Sequence, residues 1–380
     1  MALLLGIPMV YLTVSVLYLV FFTVMSSRKV HVPRLTLPVR PRFLIVFPAY
    51  KEDGVIVSSV QNVLAQPDLD VHDHVVVLAD QLQEATLEAL RALPIQVVVI
   101  QLSQSTKARA INQALPQIET PWDAVLLLDA DNHLVPGAIR KSKEAFMAGR
   151  EVLQLHRMAK NLDTPMAKLD ALSEEVNNTI FRKGHVAVGL SAALIGSGLV
   201  MDRTRFESFM ANIDAVSGFD KQLELDLLRH GQTITYLEDA YVLDEKVRNE
   251  AVFETQRTRW LAAQWRFAKA HFFQAFGALF RGNVDYADKV FQFVLPPRIV
   301  LMGLLVFTGL WGGVWTLWSA ILLGIYLITL WRATPAYIRQ VIGWNEVSLV
   351  PKTFWSMLKA ITRMGQAKKT FLHTPHQNTH

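Results

Sequence analysis

The chain has 380 residues, 51% of them hydrophobic and 19% charged, with a mean hydropathy of +0.25, a formal net charge of +5 and no cysteine. That balance excludes a disordered chain and an ordinary soluble domain, and the missing thiols exclude disulfide frameworks, Cys-ligated metals and cysteine nucleophiles. Any catalytic side chain is therefore an oxygen or nitrogen group.

The apolar excess sits at the two ends. Ala2 to Met25 carries no charge, and at about 1.5 Å per residue it is long enough to cross the hydrocarbon core of a bilayer. The alternative, a cleaved signal peptide, lacks a basic n-region and has too long an apolar run. Arg28, Lys29, Arg34, Arg40 and Arg42 follow without an intervening acid, so the positive-inside rule predicts an N-terminus outside and a cytoplasmic domain.

From residue 43 short β-rich runs (43–47, 74–79, 95–100, 124–128) alternate with helix-like segments near 55–64, 83–91 and 106–115. Such alternation predicts an α/β domain with a parallel sheet covered on both faces, whose ligands sit at the carboxyl ends of the strands. The residues at those ends are Tyr50 and Glu52, Asp80, Lys107, and Asp129-Ala130-Asp131.

Carboxylates at i and i+2 on an extended segment face the same side, where they can hold a hard divalent cation, Mg²⁺ or Mn²⁺, that bridges phosphate oxygens of a nucleoside diphosphate. The ion then assists a departing diphosphate as a Lewis acid. Taken alone the triplet is equally a surface turn, Asp80 a turn residue and Lys107 a solvated helix start. The chain has no P-loop, no G-x-G-x-x-G after the first strand and no G-x-S-x-G elbow, and Gly196-Ser-Gly198 lacks a third glycine. Residues 217–231 predict a helix capped by Gly231, with Asp220 in its first turn either as a dipole-complementing residue or as a general base.

Farther along, Leu261, Trp265, Ala268, Phe272, Phe276 and Leu279 recur at helical spacing beside Arg257, Arg259, Arg266, Lys269 and Arg281. This predicts an amphipathic helix lying in the headgroup plane. Ile299 to Trp331 is a second uncharged run, about 50 Å as one helix, so a hairpin broken at Gly312-Gly313 fits better than a single tilted span. Its first leg would take in Phe291–Leu295 across the Pro296-Pro297 kink, and the basic tail (Lys352, Lys359, Arg363, Lys368, Lys369) would return to the cytoplasm. The basic residues thus gather at membrane-proximal stretches, which argues for lipid contact and against nucleic acid. His373, His376 and His380 in the tail read as a mobile terminus ahead of a metal site.

Asp80, Asp129-Ala-Asp131, Asp220 and Gln256-Arg-Thr-Arg259-Trp260 come in the order of family 2 glycosyltransferases, and Pro48-Ala-Tyr-Lys-Glu52 resembles their P-x-Y-N-E opening. The Q-x-x-R-W element is similar to that of cellulose, chitin and hyaluronan synthases and of ceramide glucosyltransferases. The resemblance covers about residues 40–270. It implies a GT-A fold, a Rossmann-like domain with a mostly parallel central sheet, and inverting transfer from a nucleotide sugar, usually a UDP-sugar. By position Tyr50, Glu52, Asp80 and Lys107 would bind the nucleotide, Asp129 the nucleotide or metal, and Asp131 the cation. Asp220 would be the base, and Gln256, Arg259 and Trp260 would close over the diphosphate and meet the acceptor. Phe219, Lys51, Gln81 and Thr106 depart from the family pattern.

The expected organisation is a transmembrane helix at 1–26, a cytoplasmic GT-A domain at 40–252, an amphipathic interface helix at 253–289, a transmembrane hairpin at 290–332 and a cytoplasmic tail at 333–380. The expected function is metal-dependent glycan synthesis at the cytoplasmic face of the cell membrane. Transfer of one sugar to a membrane lipid is the alternative, and a non-catalytic scaffold a second. With so few spans the chain is not expected to form its own secretion channel, which leaves room for an export partner or a homo-oligomer.

Overall fold

The computed structural model describes residues 2–36, 40–213 and 218–364; His373, His376, His380, Lys368 and Lys369 lie outside them. After α1 (Ala2–Met25) the elements run β1 (Phe43–Tyr50), α2 (Ile56–Leu64), β2 (His74–Asp80), α3 (Glu84–Arg91), β3 (Gln96–Ile100), α4 (Lys107–Ala114), β4 (Ala124–Leu127), β5 (His133–Leu134), α5 (Ala138–Met147) and β6 (Val152–Ala159). Then come α6 (Pro165–Asn177), continuing as a π-helical segment (Asn178–Gly184), β7 (Leu199–Asp202), α7 (Arg203–Met210), α8 (Phe219–Arg229) and β8 (Thr235–Asp244). The C-terminal part is helical: α9 (Glu250–Phe280), α10 (Val284–Val294), α11 (Arg298–Gly309), α12 (Gly313–Ala333), α13 (Ala336–Val341), α14 (Trp344–Ser348) and α15 (Val350–Arg363).

The strands form one sheet in the order β3-β2-β1-β4-β7-β6-β8-β5. Its first four strands are parallel, as the alternating pattern predicts, whereas β7 runs antiparallel to both β4 and β6. β1 alternates its side chains between two cores: Leu44 and Val46 join one face, Phe43, Ile45 and Phe47 the other. Both faces are covered, so the strand is apolar throughout. The chain winds from β1 out to β3 and crosses back to β4, and the crevice between the β1 and β4 ends is where such sheets bind ligands.

Among the described residues two helices are long and apolar enough to cross a membrane, Gly6–Met25 and Gly313–Ala333, and α10 with α11 forms a further apolar pair bent by 61°. Met9, Leu12, Val16, Leu19 and Phe22 line one face of α1 and pack with Leu301, Leu305, Leu322 and Tyr326, while Ile7, Val10 and Leu17 on the opposite face are exposed. The chain turns between α11 and α12 with positive φ at Gly312 and Gly313. Two of the basic residues after α1 are paired with the domain, Arg34 with Asp239 (2.5 Å) and Arg42 with Asp123 (2.8 Å).

The stretch 253–289 divides between α9 and α10, with Gly282 at φ 82° between them. α9 is apolar on two sides. Ala263, Phe267, Ala268, Ala275 and Ala278 are buried, whereas Trp265, Phe272, Phe273, Phe276, Leu279 and Phe280 project outward. Ala268 therefore belongs to the protein-facing side, apart from the aromatic residues its spacing grouped it with. The stretch after residue 333 holds α13 to α15, and α15 packs against α9 and α11.

Candidate active site

Tyr50, Glu52, Asp80, Lys107, Asp129, Asp131, Asp220, Gln256, Arg259 and Trp260 all line one cavity of about 1250 Å³. They arrive from the ends of β1, β2 and β4, from the first turns of α4 and α8, and from the second and third turns of α9.

Asp80 ends β2 and is 3% exposed, with Oδ1 lacking a hydrogen-bond partner. Burial pushes its carboxyl up from the ordinary value, opposed by Ser105 and Lys51. It also borders a second cavity of about 490 Å³ lined by Gln81, Leu82, Val99 and Ser103. A buried acceptor of this kind suits the N–H edge of a nucleobase. Lys51 (φ 57°) and Gln81 (φ 55°) hold the left-handed backbone that makes the tight turns after β1 and β2.

Lys107 opens α4, whose N-cap Thr106 accepts a bond from the Arg109 amide. Its ammonium donates to Asp129 Oδ1 (2.5 Å) and to the Gly196 carbonyl (2.7 Å), and lies 5.1 Å from the centre of the Phe219 ring. Asp129 is held by its amide, which donates to Asn132 Oδ1 and Ser197 Oγ. Asp131 is 2% exposed; its Oδ2 accepts from the Glu245 amide (2.8 Å) and its Oδ1 from Asn132 Nδ2 (3.2 Å). Among the described residues no three His, Asp or Glu side chains converge as a complete metal cage. The donor set still fits Mg²⁺ or Mn²⁺, because hard cations at phosphate sites use one or two carboxylates and complete their shell with phosphate and water.

Asp220 lies in the first turn of α8. The loop at Gly196 runs against it: a Cβ there would meet the Phe219 ring at 2.9 Å and Asp220 Cβ at 3.2 Å, and Gly196 has φ +71°. Gly196-Ser-Gly198, which fails as a dinucleotide motif, thus serves this site by accepting from Lys107 and from the Asp129 amide. Gly218 does likewise for α9, since a Cβ there would meet Ala263 at 2.9 Å.

On α9, Gln256 Oε1 is buried without a partner. Arg257, absent from the residues chosen by motif, orients Trp260: its guanidinium lies 4.4 Å from the indole and 4.7 Å from Phe253, and it pairs with Asp170.

A second group escaped sequence reasoning. Arg157, Glu174, Arg182, Asp244 and Lys246 line the same cavity as one buried network. Arg157 pairs with Glu174 (2.8 Å) and Asp244 (3.4 Å), Arg182 with Glu174 (3.2 Å), and Lys246 with Asp244 (2.8 Å). Burial pushes the Glu174 carboxyl up, but Arg157, Lys246 and Arg182 outweigh it and hold the group well below the carboxylate range. Three cations against two carboxylates leave this wall positive, next to Asp129, as a diphosphate requires. These residues lie too far apart in the chain to form a motif.

Residues 41–263 match the family model Glycosyltransferase like family 2. The chain belongs to this family. Its structure is similar to that of the mannosyltransferase PcManGT from Pyrobaculum calidifontis in complex with GDP-Man and Mn²⁺, with a TM-score of 0.59 over 96% of this chain and 98% of that one at 15% identity. S. aureus TarS aligns with a TM-score of 0.39 and 15% identity over 86% of this chain and 55% of that chain. No curated protein matches the sequence. The family 2 membership and the PcManGT likeness establish the GT-A fold for the sheet and its crevice.

Proposed function

We propose that this family 2 protein is an inverting glycosyltransferase that moves a sugar from a nucleoside diphosphate donor to an acceptor hydroxyl supplied at the cytoplasmic face of the membrane. The observation that carries this is the convergence on one cavity of Asp80, Lys107, Asp129, Asp131, Asp220 and the Gln256–Trp260 segment.

Tyr50, Glu52 and Asp80 receive the nucleoside, and the positive wall around Arg157 faces its diphosphate. Asp131, with Asp129, would hold Mg²⁺ or Mn²⁺, which when bound would supply Lewis acidity to the departing diphosphate. Lys107, resting on Asp129, is within reach to follow the charge onto a phosphate oxygen. Asp220 takes the proton of the acceptor hydroxyl as its oxygen attacks the anomeric carbon. Trp260, fixed by Arg257, offers its face to the acceptor. The basic residues after α1 support the cytoplasmic placement. The cavity continues past Trp260 to Met302 and Leu330 of α11 and α12, which favours an acceptor delivered from the bilayer over a soluble glycan.

The test is a screen of UDP- and GDP-sugars for nucleoside diphosphate release by the purified protein with and without Mn²⁺ or Mg²⁺. One donor should be turned over only with the cation, and Asp131→Ala should lose activity by orders of magnitude. Turnover that ignores both cation and Asp131→Ala, or no turnover of any donor, sinks the reading; the latter outcome favours a scaffold.

A further inference from the structure

The cavity exceeds the ~300–1,000 Å³ of an ordinary small-molecule site, and its membrane-side half has features that a nucleotide sugar does not use. Arg298, the first residue of α11, lines that half. Its guanidinium donates to Asn177 Oδ1 (2.7 Å), Ser173 Oγ (2.8 Å) and the Ser173 carbonyl (2.8 Å). These partners are all neutral, and among the described residues no carboxylate is within ion-pair distance of Arg298. Arg339 lines the same half; its guanidinium stacks 5.0 Å from the Trp331 ring centre and likewise has no carboxylate partner among the described residues. Arg257, which lines the same cavity, differs in being paired with a carboxylate, that of Asp170. The remaining wall is apolar, built from Met302, Leu327, Leu330, Ile342, Val347 and Val350.

Two half-buried guanidinium groups that face one cavity without a carboxylate partner leave positive charge beside its apolar wall, which an anion would neutralise. The wall adjoining them belongs to helices that also carry exposed Leu327 and Trp331, so the occupant enters from lipid. We infer that the acceptor is a phosphate-bearing lipid, with its phosphate on Arg298 and Arg339, its chain along the α11–α12 wall and its hydroxyl-bearing headgroup turned toward Asp220. This rests on the glycosyl-transfer reading of the same cavity. The headgroup oxygen bonds to the anomeric carbon, the bond from that carbon to the diphosphate oxygen breaks, the diphosphate leaves with the electron pair, and the hydroxyl proton passes to Asp220.

The experiment is calorimetric titration of the full chain in dodecyl maltoside with hexadecyl phosphate, hexadecanol and methyl phosphate. Hexadecyl phosphate should bind at least about tenfold more tightly than hexadecanol, the factor expected of a charge-assisted hydrogen bond. Arg298→Gln should cut that preference severalfold, leaving hexadecanol unaffected, and Arg298→Lys should keep more of it. Methyl phosphate should bind far more weakly, which separates a lipid from free phosphate. Equal binding of the phosphate and the alcohol by the wild type overturns the inference without recourse to any variant. So does a preference undiminished in Arg298→Gln, or methyl phosphate binding as tightly as the lipid. Binding of UDP or GDP with Mn²⁺, titrated in the same samples, reports on the donor site and on folding. Its loss in the wild type counts against the glycosyl-transfer reading, whereas nucleotide binding without lipid-phosphate preference counts against this inference alone.

Discussion

Asp220 and Asp80 are both carboxylates at the ends of elements, but they are placed for different work. Asp220 faces the cavity from the first turn of α8, against the loop that Gly196 allows to approach. Asp220→Asn keeps the shape and removes the base, so kcat should fall by about 10²–10⁴ with nucleotide binding unchanged, measured as turnover beside UDP or GDP affinity. Asp80 is buried, and that burial raises its carboxyl, so the charged form is disfavoured in the empty protein. A group raised in this way contributes stability only below its unfolded value and loses it as pH rises through the folded one. A nucleobase N–H that bonds the carboxylate reverses the preference. Nucleotide affinity should therefore increase as pH rises through the acidic range, and Asp80→Asn should flatten the profile; a pH-independent affinity in the wild type would contradict the assigned contact.

Among the elements, α1 shows how the apolar end is joined to the catalytic domain. Gly184, closing the π-helical segment, would carry a Cβ only 2.3 Å from the Phe22 carbonyl, and the next residue, His185, stacks on the Phe22 ring at 3.6 Å. Tyr18 adds a bond to Asp288 of α10 (2.8 Å). Gly184→Ala should cost about 1–3 kcal/mol by forcing α1 away, seen as a lower melting temperature in detergent. Gly324→Ala is the control, because a Cβ on that face of α12 meets nothing within 4 Å. The period of α9 was legible in the sequence, but the division of its apolar residues was not. Buried Ala263, Phe267 and Ala268 and outward-facing Phe272, Phe273 and Phe276 share one helical repeat, and only the neighbours α8, α10 and α15 separate them.

At the scale of the whole molecule, the Arg157–Glu174–Asp244 network ties the sheet to α6 directly behind the proposed diphosphate site. Glu174→Gln would leave Arg157, Arg182 and Lys246 with Asp244 as the single remaining carboxylate of the group. Breaking a buried network costs about 3–5 kcal/mol, so this variant should melt earlier and bind nucleotide differently. Glu84→Gln, which touches only the exposed pair with Arg91, should change neither.

The sequence by itself determined the first four strands, the crossover helices and the apolar ends, because burial periodicity and turn chemistry are local and a parallel strand covered on both faces must be apolar throughout. It also marked the residues after those strands, since a parallel sheet sets its ligands at their carboxyl ends. The antiparallel insertion of β7, the service of Gly196 and Ser197 to Asp129, the charge network around Glu174 and the unpaired Arg298 were decided only by the tertiary structure. Each depends on which distant backbone comes within hydrogen-bond reach, and on which charge is left without a partner once the chain has closed around it.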